Sequence, residues 1–280
     1  MNTSCSRTRD LYLSLLKKSL LNLIYLDNEL RIFYILSRIQ ARESFKIGHL
    51  KDIRQTEKEM YTTFSQVRRD GQNFRLPKGV GVYSHTLLGT ARLDNIEQLV
   101  KSVLEDRVSG DLVEAGVWRG GGSIFMRGVL EAFGDTERSV WVCDSFCGLP
   151  APEVEQDAGQ KFHTHDFLSI NIDTVKENFA CYDLLDEQVR FVEGFFADSL
   201  PEAPINEIAV LRLDGDLYKS TMDTLEPLYD KVSPGGYIIV DDYTSIPVCR
   251  QAVDDFREAN GIDEEIIEID WTGVYWRKRW

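Results

Sequence analysis

Five short runs rich in valine and isoleucine recur between residue 111 and residue 242, and stretches with helical periodicity separate them. This alternation restricts the fold more than any other feature of the chain. The runs are "DLVEAGV" (111–117), "SVWVCDS" (139–145), "QVRFVEG" (188–194), "IAVLRLD" (208–214) and "GYIIVDD" (236–242). They mostly lack a polar/apolar alternation, as strands covered on both faces do. Helical segments are expected at 122–133, 168–181, 219–230 and 247–259. Ahead of them, "RLDNIEQLVKSVLED" sets Ile96, Leu99, Val100, Val103 and Leu104 on one side of a helix. The tail "EIIEID" and "GVYWRKR" reads as two final strands joined by a tight turn at Trp271 to Gly273. The expectation is therefore an α/β chain, a doubly wound, seven-stranded, mainly parallel sheet. Ligands of such sheets bind beyond the carboxyl ends of the strands. Here nearly every run ends in an acid.

Upstream, the pattern differs. "LYLSLLKKSLLNLIYL" (11–26) carries Leu13, Leu16, Leu20, Leu23 and Ile24 at helical spacing, with Lys17 and Lys18 at its centre. It is too short and too charged to span a bilayer, and no small-residue cleavage site follows it. An amphipathic helix packed on the body, or on a neighbouring copy in a homo-oligomer, is the expectation. Residues 28–75 are charged and irregular, so 1–75 reads as a helical arm and lid, and 76–280 as the main domain. The formal charge of −14 argues against a nucleic-acid or anionic-membrane surface, which would need a basic face. Five cysteines without CxxC or zinc spacing suit reduced thiols and a cytoplasmic setting.

"VEAGVWRGGGS" joins the first strand to the next helix. It is not a dinucleotide fingerprint, because Trp118 stands where GxGxxG would need its second glycine, and no Walker lysine follows. It offers Glu114 inside the strand, then Gly116 and Gly120, which would let backbone approach a ligand. An acid there suits a ligand bearing an ammonium group, such as the methionine part of S-adenosylmethionine. Asp144 ends the second strand, where α/β folds bind ribose hydroxyls. Asp198, after the third strand, is placed to meet an adenine amino group. Any one of these acids alone could be a helix cap or a solvated strand end; three on successive strands favour a ligand.

"LRLDGDLYKST" and "GYIIVDDYTS" bring further acids. Asp214 closes the fourth strand, and Asp241 with Asp242 closes the fifth. Neighbouring strand ends lie about 5 Å apart, so three carboxylates converge, and bare they would force one to stay protonated. A hard divalent cation such as Mg2+ resolves the conflict. Asp216 reads as a cap for the helix beginning near Tyr218, since Asp is favoured at that position. "HTHD" (163–166) has metal-like composition but no ligand spacing, so His163 and His165 read as surface or substrate-loop residues.

Across most of the chain these motifs resemble the macrocin O-methyltransferase family. The resemblance runs through "TLLGTARLDNIEQLV", "DLVEAGVWRGGGSIFMRGVL", "VWVCDSFCGLPAP", "VLRLDGDLYKSTMDTLEPLYDKVSPGGYIIVDDY" and the closing "GVYWRK". It implies a methyltransferase core that takes S-adenosylmethionine through Glu114, Gly116, Gly120, Asp144, Ser145, Asp198 and Leu87. It also implies Mg2+ on Asp214, Asp241 and Asp242, Asp214 as general base, and a hydroxyl on a glycosylated natural product as acceptor. The chain departs from the family at Asp183, where glycine is usual after a helix. Catechol-type methyltransferases are similar in outline but end the fifth strand in Asp-Asn. Two other readings stay open at this stage: a nicotinamide-dependent oxidoreductase using Asp144 on a ribose, and a non-catalytic donor-binding protein.

Overall fold

The computed structural model describes residues 3–76 and 83–279. The chain forms two compact units, Met1–Leu93 and Asp94–Trp280. The boundary expected at residue 75 therefore falls inside the first unit.

The first unit is helical: α1 (Thr3–Leu20), α2 (Leu26–Gln40), α3 (Ile47–Lys51), α4 (Ile53–Thr56) and α5 (Lys58–Asp70). On α1, Leu13, Leu16 and Leu20 are buried, as their spacing predicts. The helix stops at Leu20, so Leu23 and Ile24 lie beyond it. Leu26, Leu30, Tyr34, Ile53 and Phe64 make a separate small core. Within it, Arg68 pairs with Glu29, both buried, and Glu29 also accepts from Asn22 Nδ2 at 3.0 Å. No helix among the described residues is long and apolar enough to cross a membrane.

The second unit holds the sheet. Helix α6 (Thr90–Glu105) precedes β1 (Asp111–Ala115), α7 (Gly121–Phe133), β2 (Val140–Asp144), α8 (Ile172–Ala180), β3 (Val189–Glu193) and α9 (Phe196–Glu202). Then follow β4 (Ile208–Leu213), α10 (Tyr218–Leu228), β5 (Val232–Val240), α11 (Pro247–Ala259), β6 (Ile267–Glu268) and β7 (Val274–Arg277). The strand order is β3-β2-β1-β4-β5-β7-β6, parallel from β3 through β5, with β7 antiparallel to both β5 and β6. Every strand expected from the sequence is present, in the expected mainly parallel sheet. Cys143, Cys147, Cys181 and Cys249 are free thiols.

Side chains alternate between the faces of a strand, and the register turns that rule into a division of labour. Val113, Leu211 and Ile238 stand side by side, as do Ala115, Leu213 and Val240. These belong to one apolar core with Leu225 and Leu228 of α10 and Val253 and Phe256 of α11. The intervening residues point the other way, and among them Glu114 stands directly opposite Arg212. A buried acid and a buried base are thus set on one face of the sheet by parity alone.

Helix α8 ends in a Schellman turn. The Leu184 N–H donates to the Phe179 carbonyl at 3.2 Å and the Asp183 N–H to the Ala180 carbonyl at 3.0 Å. Asp183 takes φ +56° there. The residue that departs from the family's glycine does occupy a left-handed position.

Candidate active site

The strand-end acids cluster around a cation that the chain itself supplies. Arg212 of β4 is 2% exposed. Its Nη1 donates to Glu114 Oε1 at 2.7 Å; its Nη2 donates to Asp214 Oδ2 at 3.0 Å and to Asp241 Oδ1 at 2.5 Å. Parity explains the set. Asp214 lies two residues beyond Arg212, and Asp241 two beyond Ile239, the register partner of Arg212, so all three share a face. Burial opposes the charge on Arg212, but Asp241, Asp214 and Glu114 together outweigh it and hold the guanidinium ionised.

Asp242 has the opposite parity, and the chain leaves the strand there. Its carboxylate meets those of Asp214 and Asp216, with one oxygen of each within 4.8 Å of the others. Asp214, Asp216 and Asp242 thus lie together, while Asp241, the third member of the expected set, pairs with Arg212. Asp216 does not cap α10, whose N-cap position is Leu217, a residue with no capping side chain. The cap comes from Asp157, fully buried in the loop after β2, which accepts from the Tyr218 N–H at 2.7 Å and the Lys219 N–H at 3.1 Å. Asp216 is held at φ +57°, a sparsely populated conformation of the kind that gathers at functional sites.

The electrostatics follow from three carboxylates on one guanidinium, and two more beside Asp214. Burial, then the charge of Asp214, pushes Asp216 up to about 7. Burial, then the charges of Asp216, Asp214 and Asp241, raises Asp242 well above the carboxylate range. Asp214 is raised by burial and by Asp241, with Arg212 pulling it back. These three groups, all hard oxygen donors, suit a divalent cation such as Mg2+.

Of the residues expected to meet S-adenosylmethionine, Asp144 sits at the carboxyl end of β2. Its Oδ2 accepts from the Val117 N–H at 2.8 Å and its Oδ1 from the Phe146 N–H at 2.9 Å. Burial raises it, against those backbone hydrogen bonds. Ser145 Oγ donates to the Gly148 carbonyl at 2.6 Å and so shapes the turn beside it. Asp198 lies exposed in the first turn of α9. Leu87 belongs to the first unit, where its carbonyl accepts from Asn73 Nδ2 at 3.0 Å.

The glycine turn is packed closely against its own chain. The Glu114 carboxylate is enclosed, taken by Arg212 on one oxygen and by the Ser123 hydroxyl on the other. Burial lifts it to about 7, against Arg212 and Ser123. Its partners in the structure are thus a cation and a hydroxyl of the protein. Gly116 has φ +90°, and a Cβ there would stand 1.9 Å from the Asp214 carbonyl oxygen. Gly120 has φ +83°, and its Cβ would stand 2.7 Å from Val175 Cγ1. Both glycines are required by the packing of the chain on itself. Trp118, between them, donates from Nε1 to the Phe167 carbonyl at 2.9 Å. His163 and His165 are exposed, and the His165 ring stacks on Phe167 with centroids 5.8 Å apart.

Sequence reasoning missed Arg212 and Asp157. An arginine inside "AVLRLD" was a visible anomaly in an apolar run, and parity puts it on the face of Asp214. Asp157 gave no signal, because its partner helix starts 61 residues later.

The sheet order and the acids at its carboxyl edge define a Rossmann-like methyltransferase, and the solved O-methyltransferase NovP shares the fold. It superposes with a TM-score of 0.79 at 42% identity, covering 97% of this chain and 100% of that one. The chain is also 45% identical over 277 residues to the 8-demethyl-8-(2,3-dimethoxy-alpha-L-rhamnosyl)-tetracenomycin-C 4'-O-methyltransferase of Streptomyces olivaceus, covering 96% of this chain and 93% of that one. It is 40% identical over 275 residues to the mycinamicin III 3''-O-methyltransferase of Micromonospora griseorubida, covering 96% of each. The chain belongs to the Macrocin-O-methyltransferase (TylF) family, which it matches over residues 9–278, and it is an O-methyltransferase.

Proposed function

We propose that the protein transfers a methyl group from S-adenosylmethionine to a hydroxyl of a sugar on a natural product, assisted by a divalent cation. The observation that carries this reading is the convergence of Asp214, Asp216 and Asp242 within 4.8 Å at the carboxyl edge of the sheet. Relatives named for sugar positions of natural products support the acceptor class.

A free alcohol is a poor nucleophile because it holds its proton far above neutral pH. A cation held by Asp214, Asp216 and Asp242 would supply Lewis-acid polarisation of that hydroxyl. S-adenosylmethionine would supply an electrophilic methyl on a sulfonium, with Asp144 receiving its ribose at the end of β2. Asp214 is the proposed proton acceptor; it lies at the cluster and is oriented from behind by Arg212. With the acceptor oxygen held at the cluster and the donor at the neighbouring strand ends, orientation would supply much of the remaining rate.

The test is a methylation assay with demethyl, sugar-bearing acceptors, read by mass for the gain of one methyl. EDTA should abolish turnover and Mg2+ should restore it. Undiminished turnover in EDTA would remove the cation from the mechanism. Binding of S-adenosylmethionine with no methylated product on any glycosylated acceptor would remove the acceptor class.

A further inference from the structure

The two acid-bearing turns at the carboxyl edge of the sheet are both tied to one helix. The turn after β4 runs from Asp214 into α10, and Tyr218, the first residue of that helix, donates its hydroxyl to Asp255 Oδ2 at 3.0 Å. The turn after β5 follows Asp241 and Asp242 with Tyr243, whose hydroxyl donates to Asp254 Oδ1 at 2.7 Å. Asp254 and Asp255 are consecutive residues of α11. We infer that Tyr218 and Tyr243 are positioning residues, which use α11 as a common brace to hold the two turns at a fixed separation. This role rests on methyl transfer taking place at these turns, and it does not depend on which of their acids would meet a cation.

Stability alone does not account for the two bonds. Asp254 and Asp255 are exposed, and polar pairs at exposed carboxylates contribute little to folding. Helices α10 and α11 are already joined through Leu225, Leu228, Val253 and Phe256, with the Tyr229 and Phe256 rings edge to face at 5.3 Å. The turns lie past the last core residues of their strands, Leu213 and Val240. There the tyrosines take over. Tyr218 is held at both ends, its N–H by Asp157 and its hydroxyl by Asp255. The Tyr243 ring packs on the core, and the Arg250 guanidinium lies over its face at 5.1 to 5.3 Å, namely 5.2 Å from the centroid, while pairing with Asp254 at 3.5 Å. Arg250 and Asp254 both belong to α11, so one helix grips the face and the tip of that ring. A tyrosine has only two side-chain torsions, so a bond at the tip of the ring restrains the turn at its root.

In-line transfer requires the acceptor oxygen and the groups around it to be held closely. Removing a tyrosine hydroxyl leaves the ring, its packing and the charge of its turn in place, and frees only the restraint. Turnover should then fall while global stability stays. Removing the partner carboxylate should have the same effect, and removing both should add nothing, because a bond already broken cannot be broken again.

The experiment compares hydrogen exchange, read by mass, and steady-state kinetics in the full-length wild type, Tyr218→Phe, Asp255→Asn and Tyr218→Phe/Asp255→Asn, with the matching set at Tyr243 and Asp254. The acceptor is a demethyl, sugar-bearing compound that the wild type methylates. Each single variant should show faster exchange at its own turn, 214–217 or 241–246, and kcat lower by about tenfold. KM for S-adenosylmethionine and the urea midpoint should stay at wild-type values, and each double variant should match its single variants. Three results would overturn the brace: kcat within about threefold of wild type in all the variants, additive losses in the double variants, or a kcat loss that follows a loss of global stability. If the wild type methylates no such acceptor, the proposed function falls instead, and unaltered exchange at both turns would by itself overturn the brace.

Discussion

The carboxylate of Asp157 accepts the backbone N–H of Tyr218 at 2.7 Å and so caps a helix from a loop 61 residues earlier in the chain. It accepts from the Lys219 N–H as well, and it is fully buried. One side chain thereby satisfies two orphan donors of α10 and fastens the loop after β2 beside the turn that carries Asp214 and Asp216. Asp157→Ala should cost about 1–2 kcal/mol in urea unfolding. It should also lower kcat, because the Asp216 turn loses its support. Unchanged stability would show that water replaces the cap.

Two adjacent aspartates differ in their surroundings: Asp242 lies with Asp214 and Asp216, and Asp241 with Arg212. Asp216→Asn and Asp242→Asn should each weaken Mg2+ binding in calorimetry by at least about tenfold, since each removes a charged oxygen ligand. Asp241→Asn should leave Mg2+ affinity within about threefold, because its carboxylate serves Arg212. A larger loss in Asp241→Asn than in Asp216→Asn would restore the set expected from the resemblance.

Parity also marks how much of this was legible in the sequence. The runs ending at Ala115, Asp144 and Leu213 announced strands through their composition, and the acids at their ends announced a site. The face each acid occupies depends on register, which no local pattern encodes. Glu114 therefore suggested a ligand's ammonium, although the strand beside it brings Arg212 directly opposite. Asp241 and Asp242 are equivalent on paper; only the pairing of β5 with β4 turns one inward and leaves the other at the cluster. Gly116 and Gly120 suggested a cradle because a glycine turn has the same composition whether it approaches a ligand or a neighbouring strand.

The acid cluster predicts a stability that falls with rising pH when no divalent cation is bound. Burial raises Glu114 from 4.5 to about 7, and burial with the charge of Asp214 raises Asp216 from 3.8 to about 7. In both the folded value exceeds the unfolded one, so the native state retains protons that the unfolded chain has released. The stabilisation is complete below the unfolded values and is lost as pH rises through about 7. Asp27 and Asp186 are lowered despite burial, by Arg54 and Arg127 respectively, and act below their ordinary 3.8, outside this window. Urea unfolding across the window should show the decline, and Glu114→Gln should make it shallower. Stability that increases with pH between 4.5 and 7 would contradict the burial of these groups.

Two left-handed residues should respond to substitution with opposite signs. Asp183 holds φ +56° at the end of α8, exposed, with the Schellman hydrogen bonds in place. Glycine adopts that conformation without the Cβ penalty, at the cost of a looser unfolded chain. Because Asp tolerates the left-handed region better than most residues, Asp183→Gly should stabilise by no more than about 1 kcal/mol and leave kcat unchanged. Gly116 is the reverse case. An alanine there would meet the Asp214 carbonyl oxygen at 1.9 Å while holding φ +90°. The obstructing atom is backbone, so no side-chain rotation relieves it. Gly116→Ala should cost at least about 2 kcal/mol and push the end of β4, with Asp214, out of place. Its Mg2+ affinity should fall together with its stability. A variant that kept wild-type stability and lost only S-adenosylmethionine binding would show instead that Gly116 is kept small for the donor, as the glycine turn first suggested.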